Sequence, residues 1–207
     1  MVDTQTNGPK GATPAHGAGE MPRRLSPLDG RQASGPGVRL GPVALRRRLT
    51  LRARGDAIAA AGTALGLELP TRPKTSARQG GVSALWLGPD EWLIVDEGET
   101  AESLATSDGP LAEALVAVSG IAVVDISHRN VGIVVDGPAA EAVVAAGCPQ
   151  DIRPVSFLVG ACSRTVLSKA EIVLWRTGEQ RFEIECWRSF ADYVWTFLVE
   201  ASRAPAV

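Results

Sequence analysis

Apolar and polar positions in this chain fall into short runs whose period switches between two and roughly three and a half. Leu49 to Arg54 alternates as a strand. Asp56 follows as a candidate helix cap, Ile58, Ala61 and Leu65 recur at helical spacing, and Gly66 supplies the left-handed stop. Val131 to Val135 reads as a second strand. Pro138 then stands at a helix start, an Ala/Val run follows, and Gly147 ends it. The two stretches keep register: 147 minus 66 and 153 minus 72 both give 81, the second offset relating Arg153-Pro154 to Arg72-Pro73.

Each stretch is followed by a hairpin. Ala84 to Leu87 turns through Gly88-Pro89-Asp90-Glu91 into Trp92 to Val95, with Pro89 presetting φ at the first central turn position. Ile172 to Trp175 turns near Thr177-Gly178-Glu179 into Phe182 to Cys186. Helices are predicted after the hairpins, at about 101–118 and 190–201. The shared order strand, helix, strand, strand, helix predicts an α+β domain over 38–207, duplicated as pseudo-repeats of about 38–118 and 119–203, with antiparallel sheet and helices packed on it. The hairpin from Ala84 to Val95 is apolar on both faces, so helices or another chain must cover both.

The first 37 residues are rich in Gly, Pro, Ala and Thr and poor in large apolar side chains, and are expected to form a disordered tail. With 207 residues, 45% of them hydrophobic, the remainder can bury one sizeable core. A formal net charge of -2 supplies no basic field for nucleic acid or an anionic membrane. No apolar run reaches the roughly 20 residues of a membrane span. Cys148, Cys162 and Cys186 are an odd, widely spaced set, which fits buried thiols in a reducing cytoplasm better than disulfides or a zinc site.

Three segments carry a specific resemblance: LWLGPDEWLIV, VDISHRNVGIVVDGPAAEAVVAAGCPQDI and SFLVGACSRTVLSKAEIVLWRTGEQRFEIECWRSFADYVWTFL. In that order, and above all through GPDEW, GCP-x-D and RSFADY-x-W, the chain resembles the gamma subunit of heterotetrameric sarcosine oxidase over roughly Pro22 to Ala201. Asp125-Ile126-Ser127-His128-Arg129 with Gly137 and Ala139 also looks like the opening of the folate-binding aminomethyltransferase family. The resemblance implies an aminomethyltransferase-like fold and a place in a four-subunit assembly with alpha, beta and delta subunits. That assembly oxidises sarcosine to glycine, releases the methyl carbon as formaldehyde or passes it to tetrahydrofolate, and reduces oxygen to hydrogen peroxide. It further implies that FAD, FMN, NAD and tetrahydrofolate lie on the large subunits and zinc on delta, leaving this chain without a cofactor. The lack of a G-x-G-x-x-G fingerprint agrees.

No residue is therefore assigned a catalytic, cofactor or metal role. His128 is the one imidazole of the predicted domain, and reading it as a hydrogen-bonded histidine after a buried strand is preferred to reading it as a base. Asp125 either orients that ring or caps the turn. Five tryptophans make up half of the ten aromatic residues, and Trp and Arg are the side chains most enriched at interface hot spots. Trp86, Trp92, Arg129, Arg164 and Arg188 are the candidate partner contacts. An arginine cluster holding the glutamate tail of folate is the sharper alternative for those cations, and an independent folate-binding or aminomethyl-transfer protein is the rival function.

Overall fold

Residues 26–98 and 109–205 are described by the computed structural model. In chain order the elements are β1 (Ala33–Gly35), β2 (Val38–Pro42), β3 (Arg47–Ala53), α1 (Asp56–Leu65), β4 (Ser76–Gln79), β5 (Val82–Gly88), β6 (Glu91–Asp96), α2 (Pro110–Val116), β7 (Ile121–Asp125), β8 (Asn130–Asp136), α3 (Ala140–Ala145), β9 (Cys162–Leu167), β10 (Ala170–Gly178), β11 (Arg181–Trp187) and α4 (Ala191–Arg203). A short 3-10 turn, Arg188–Phe190, leads into α4.

The strands pair into two antiparallel sheets, β1-β2-β8-β11-β10-β9 and β4-β5-β6-β3-β7. Four neighbouring strands of one, β8-β11-β10-β9, match β3-β6-β5-β4 of the other, each set interrupted after its first strand by a helix. The duplicated topology expected from the 81-residue offset is therefore present. One feature was not legible: β2 precedes β3 in the chain but pairs with β8, while β7 precedes β8 but pairs with β3. The halves exchange their leading strands, so neither sheet is complete without the other half.

Period-two alternation places each strand between two different layers. On one outer face, Ile133, Val135, Phe182, Ile184, Ile172 and Leu174 pack with Val143 and Val144 of α3 and Val194 and Leu198 of α4. On the other, Leu49, Leu51, Trp92 and Ile94 pack with Ala61 and Leu65 of α1 and Leu115 of α2. The inner faces meet where Leu85, Leu93 and Val95 touch Cys162, Val173 and Trp175. The layers run helix, sheet, sheet, helix. Each fully buried large side chain contributes about 1.5–3 kcal/mol of hydrophobic stabilisation.

This layering corrects the expectation for the β5–β6 hairpin. Both of its faces are covered within the chain, one by α1 and its neighbours and the other by the opposing sheet, not by helices on both sides or by a partner. The edge strands β4 and β9 were missed because Ser76–Gln79 offers no apolar run and Cys162–Leu167 is only partly buried. Gly66 does end α1 with φ 68°, but the cap position is Gly55 and Asp56 lies in the first turn, making no capping bond. There its charge favours the helix dipole instead. The helix expected at 101–118 is Pro110–Val116 among the described residues, and 99–108 lie outside them.

The tail boundary also moves. Leu28 is fully buried in the α3/α4 core and Ala33–Gly35 pairs with β2, so 26–37 belong to the folded domain. The rest of the expected tail, 1–25, lies outside the described residues.

Candidate functional site

The most unusual polar group in the interior grows out of Arg46-Arg47-Arg48 at the start of β3. Alternation sends Arg46 and Arg48 between the sheets and Arg47 to the opposite side. Across the gap, Glu183 and Glu185 of β11 share the inner face while Phe182, Ile184 and Cys186 enter the helix-covered core. Glu185 accepts from Arg48 Nε at 2.6 Å and Arg46 Nη2 at 2.7 Å; Arg46 also reaches Glu183 at 2.8 Å. All four side chains are buried. Burial pushes the Glu185 carboxyl up, but the fields and hydrogen bonds of Arg48 and Arg46 outweigh it and hold the group at about 2. For Arg46, burial acts downward and the two carboxylates more than reverse it. Each arginine meets a carboxylate across the gap, the arrangement of an inter-sheet clamp, although Arg46 Nε is buried without a hydrogen-bond partner among the described residues.

The D-x-S-H segment closes this clamp from the side. Asp125 accepts from the Ser127 amide at 2.7 Å and from Arg47 Nη1 at 2.7 Å. Ser127 Oγ in turn receives the Arg48 amide at 2.8 Å. Asp125 is thus a turn cap and an ion-pair partner. His128 follows at the exposed tip of the turn with no hydrogen bond among the described residues, where a hydrogen-bonded histidine just after a buried strand was expected; β7 is an edge strand with mostly exposed or half-exposed residues.

The five candidate contacts separate into three places. Trp92 is fully buried under α1 and donates Nε1 to Pro70 O at 2.7 Å, which removes it from any partner surface. Trp86 lies opposite it in register and packs half-buried on the same cluster. Arg164 of β9 crosses to Glu91 of β6, so it straps the two sheets together. Only Arg129 and Arg188 of the five come together at the surface. The Arg129 guanidinium stacks 4.2 Å above the half-exposed Trp187 ring, and Arg129 O accepts the Arg188 amide at 2.6 Å. His128 and Pro27 border the same open cleft, with Phe190 beside Trp187 at 6.2 Å.

The thiols are buried, as expected. Burial pushes Cys162 and Cys186 up to about 12, so neither is a thiolate at neutral pH. Sequence reasoning missed two features: the Arg46/Arg48–Glu183/Glu185 clamp, because nothing in one strand announces its partner in another, and the exposed apolar loop at 153–160. The second did leave a signal, four large apolar residues in the loop stretch VSFLVG outside any period, of which only Phe157 is buried.

The model of the family described as sarcosine oxidase, gamma subunit matches residues 52–204. The chain belongs to that family. It is 34% identical over 168 residues to the sarcosine oxidase subunit gamma of Corynebacterium sp. (strain U-96), covering 79% of this chain and 78% of that protein. With the subunit gamma of Arthrobacter sp. it shares 36% over 145 residues, 69% of this chain and 68% of that one. Among solved structures, a chain of the heterotetrameric sarcosine oxidase from Corynebacterium sp. U-96, in complex with pyrrole 2-carboxylate, superposes with TM-score 0.72 at 33% identity, covering 84% of this chain and 90% of that one. The glycine cleavage system aminomethyltransferase T of Bartonella henselae matches with TM-score 0.61 at 18% identity, over 79% of this chain and 46% of that one. That second likeness establishes a shared fold, the α+β architecture expected from the sequence.

Proposed function

We propose that this chain is the gamma subunit of a heterotetrameric sarcosine oxidase and that its work in the assembly is to bind partner subunits, not to perform chemistry. The observation that carries this reading is the superposition on nine-tenths of a chain from such an oxidase. The polar interior supports it. Arg46, Arg48, Glu183 and Glu185 neutralise one another between the sheets, and two of the thiols are held protonated by burial, so these groups serve cohesion.

In this reading the partners are the alpha, beta and delta subunits. The oxidation of sarcosine to glycine, with formaldehyde or 5,10-methylenetetrahydrofolate and hydrogen peroxide as the other products, takes place on them, with FAD, FMN, NAD, tetrahydrofolate and zinc. The site is cytoplasmic, in keeping with three reduced cysteines. Among the described residues no helix is long and apolar enough to cross a membrane.

The test is co-expression of a tagged chain with the candidate partner subunits. A flavin-coloured complex of defined stoichiometry that oxidises sarcosine is expected. Elution of the tagged chain alone, with the flavin in another fraction, would overturn the reading.

A further inference from the structure

The loop between α3 and β9 presents Val155, Leu158 and Val159 at 80%, 67% and 49% exposure. It is held there firmly. Phe157 between them is fully buried, Arg153 O accepts the amides of Ser156 and Phe157 at 2.9 Å, and Arg176 donates to Phe157 O at 3.2 Å and Ile152 O at 3.1 Å. A chain that anchors a loop so that three large apolar side chains stay in water gains nothing from them as a monomer; clustered exposure of this kind marks a contact surface.

The neighbouring segment from the first half of the duplication completes the surface. Ser76 Oγ donates to Gly160 O at 2.5 Å, and the two segments enclose a cleft of about 450 Å³. Arg72 and Lys74, both exposed, line it. The nearby Asp151 carboxylate is already taken by Arg153 and Ser156, so the charge left at the rim is positive. Arg72-Pro73 and Arg153-Pro154 are the pair related by the 81-residue offset, and the fold brings their loops to one place.

We propose that this loop and cleft form the seat for an acidic, apolar-anchored segment of a partner subunit, a proposal that rests on the gamma-subunit reading and names its docking face. Apolar anchors beside two cations that have no ion pair among the described residues call for the complementary pattern: one or two large apolar side chains flanked by carboxylates. A second copy of this chain does not supply it. A two-fold contact through the same patch sets Arg72 and Lys74 of each copy against those of the other.

The experiment uses the co-expressed complex with three variants of this chain: Leu158→Asp, the pair Arg72→Glu/Lys74→Glu, and Val124→Asp, a control on the exposed face of β7. Affinity for the partner subunits is read by titrating the tagged chain, with circular dichroism confirming that each variant folds. Leu158→Asp is expected to weaken assembly about tenfold or more, as for an interface anchor. The charge-reversal pair is expected to slow association and to flatten its salt dependence, and Val124→Asp is expected to behave as wild type. Wild-type assembly by both loop variants, or an equal loss in Val124→Asp, would overturn the docking face while leaving the gamma-subunit reading intact. Failure of the unmodified chain to assemble would overturn both. A dimer of the isolated chain that Leu158→Asp dissolves would assign the surface to self-association and overturn the proposal.

Discussion

Glu185→Ala is the substitution that tests the inter-sheet clamp most directly. Glu185 is 2% exposed and accepts the short bonds from Arg48 and Arg46, at 2.6 and 2.7 Å. Without it Arg46 keeps Glu183 at 2.8 Å and Glu97 at 3.4 Å, but Arg48 is left with the Arg46 carbonyl at 3.2 Å for its buried guanidinium. Breaking a buried pair by removing one partner costs about 3–5 kcal/mol, because the remaining charge has neither water nor counter-ion. The acid response gives an independent figure. Glu185 titrates at about 2 in the folded chain against a usual 4.5, a depressed value, so its stabilisation is present above pH 4.5 and is lost as pH falls towards 2. Two and a half pH units correspond to about 3 kcal/mol. Urea denaturation of the purified chain at pH 7 and at several values below 5 should show wild type losing stability across that window and Glu185→Ala losing much less. A cost below about 1 kcal/mol at pH 7, or identical acid profiles for the two proteins, would refute the argument. The double replacement Arg48→Met/Glu185→Leu, which removes both charges, should recover much of the loss, since apolar side chains of similar size often replace a buried pair without penalty.

Trp92→Ala should cost about 3–5 kcal/mol in the same denaturation experiment, through the cavity it leaves under α1 and the lost bond to Pro70 O; its half-buried neighbour Trp86 should cost clearly less. Cys162 and Cys186 should resist a thiol reagent such as DTNB in the native protein at pH 8 and react fully in urea, because burial both shields them and holds their pKa at about 12. Rapid native modification of either would show that the core opens there.

The repeat and most elements of the fold were legible because they are written in local periods. Leu49 to Arg54 alternates, Ile58, Ala61 and Leu65 share a helix face, and Gly66, having no Cβ, meets no steric penalty at φ 68°. The same local logic placed both hairpins to within a few residues, since their turns need Pro89-Asp90 and Glu179-Gln180 between apolar runs. Edge strands escaped it. One side of β4 and β9 pairs with no strand among the described residues, so less burial is demanded of their side chains.

What one strand contributes to another is a matter of tertiary structure. Trp92 and Trp187 look alike in sequence, yet one has α1 above it and the other faces water beneath Arg129. Arg164 is a candidate partner contact in the sequence, but Glu91 of the opposing sheet takes it, and nothing in Arg46-Arg47-Arg48 announces that Glu183 and Glu185 cross the gap to it. Gly132 shows the reason in one residue: a Cβ there would come within 2.8 Å of Val43 and 3.0 Å of Glu185, groups far apart in the chain. The sequence by itself determined where the backbone changes period, because steric and hydrogen-bonding preferences act over a few residues. Which charges are buried together, which apolar residues stay outside, and the exchange of β2 and β7 between the halves were decided only by packing, because those energies depend on distances that the chain sets when it closes on itself.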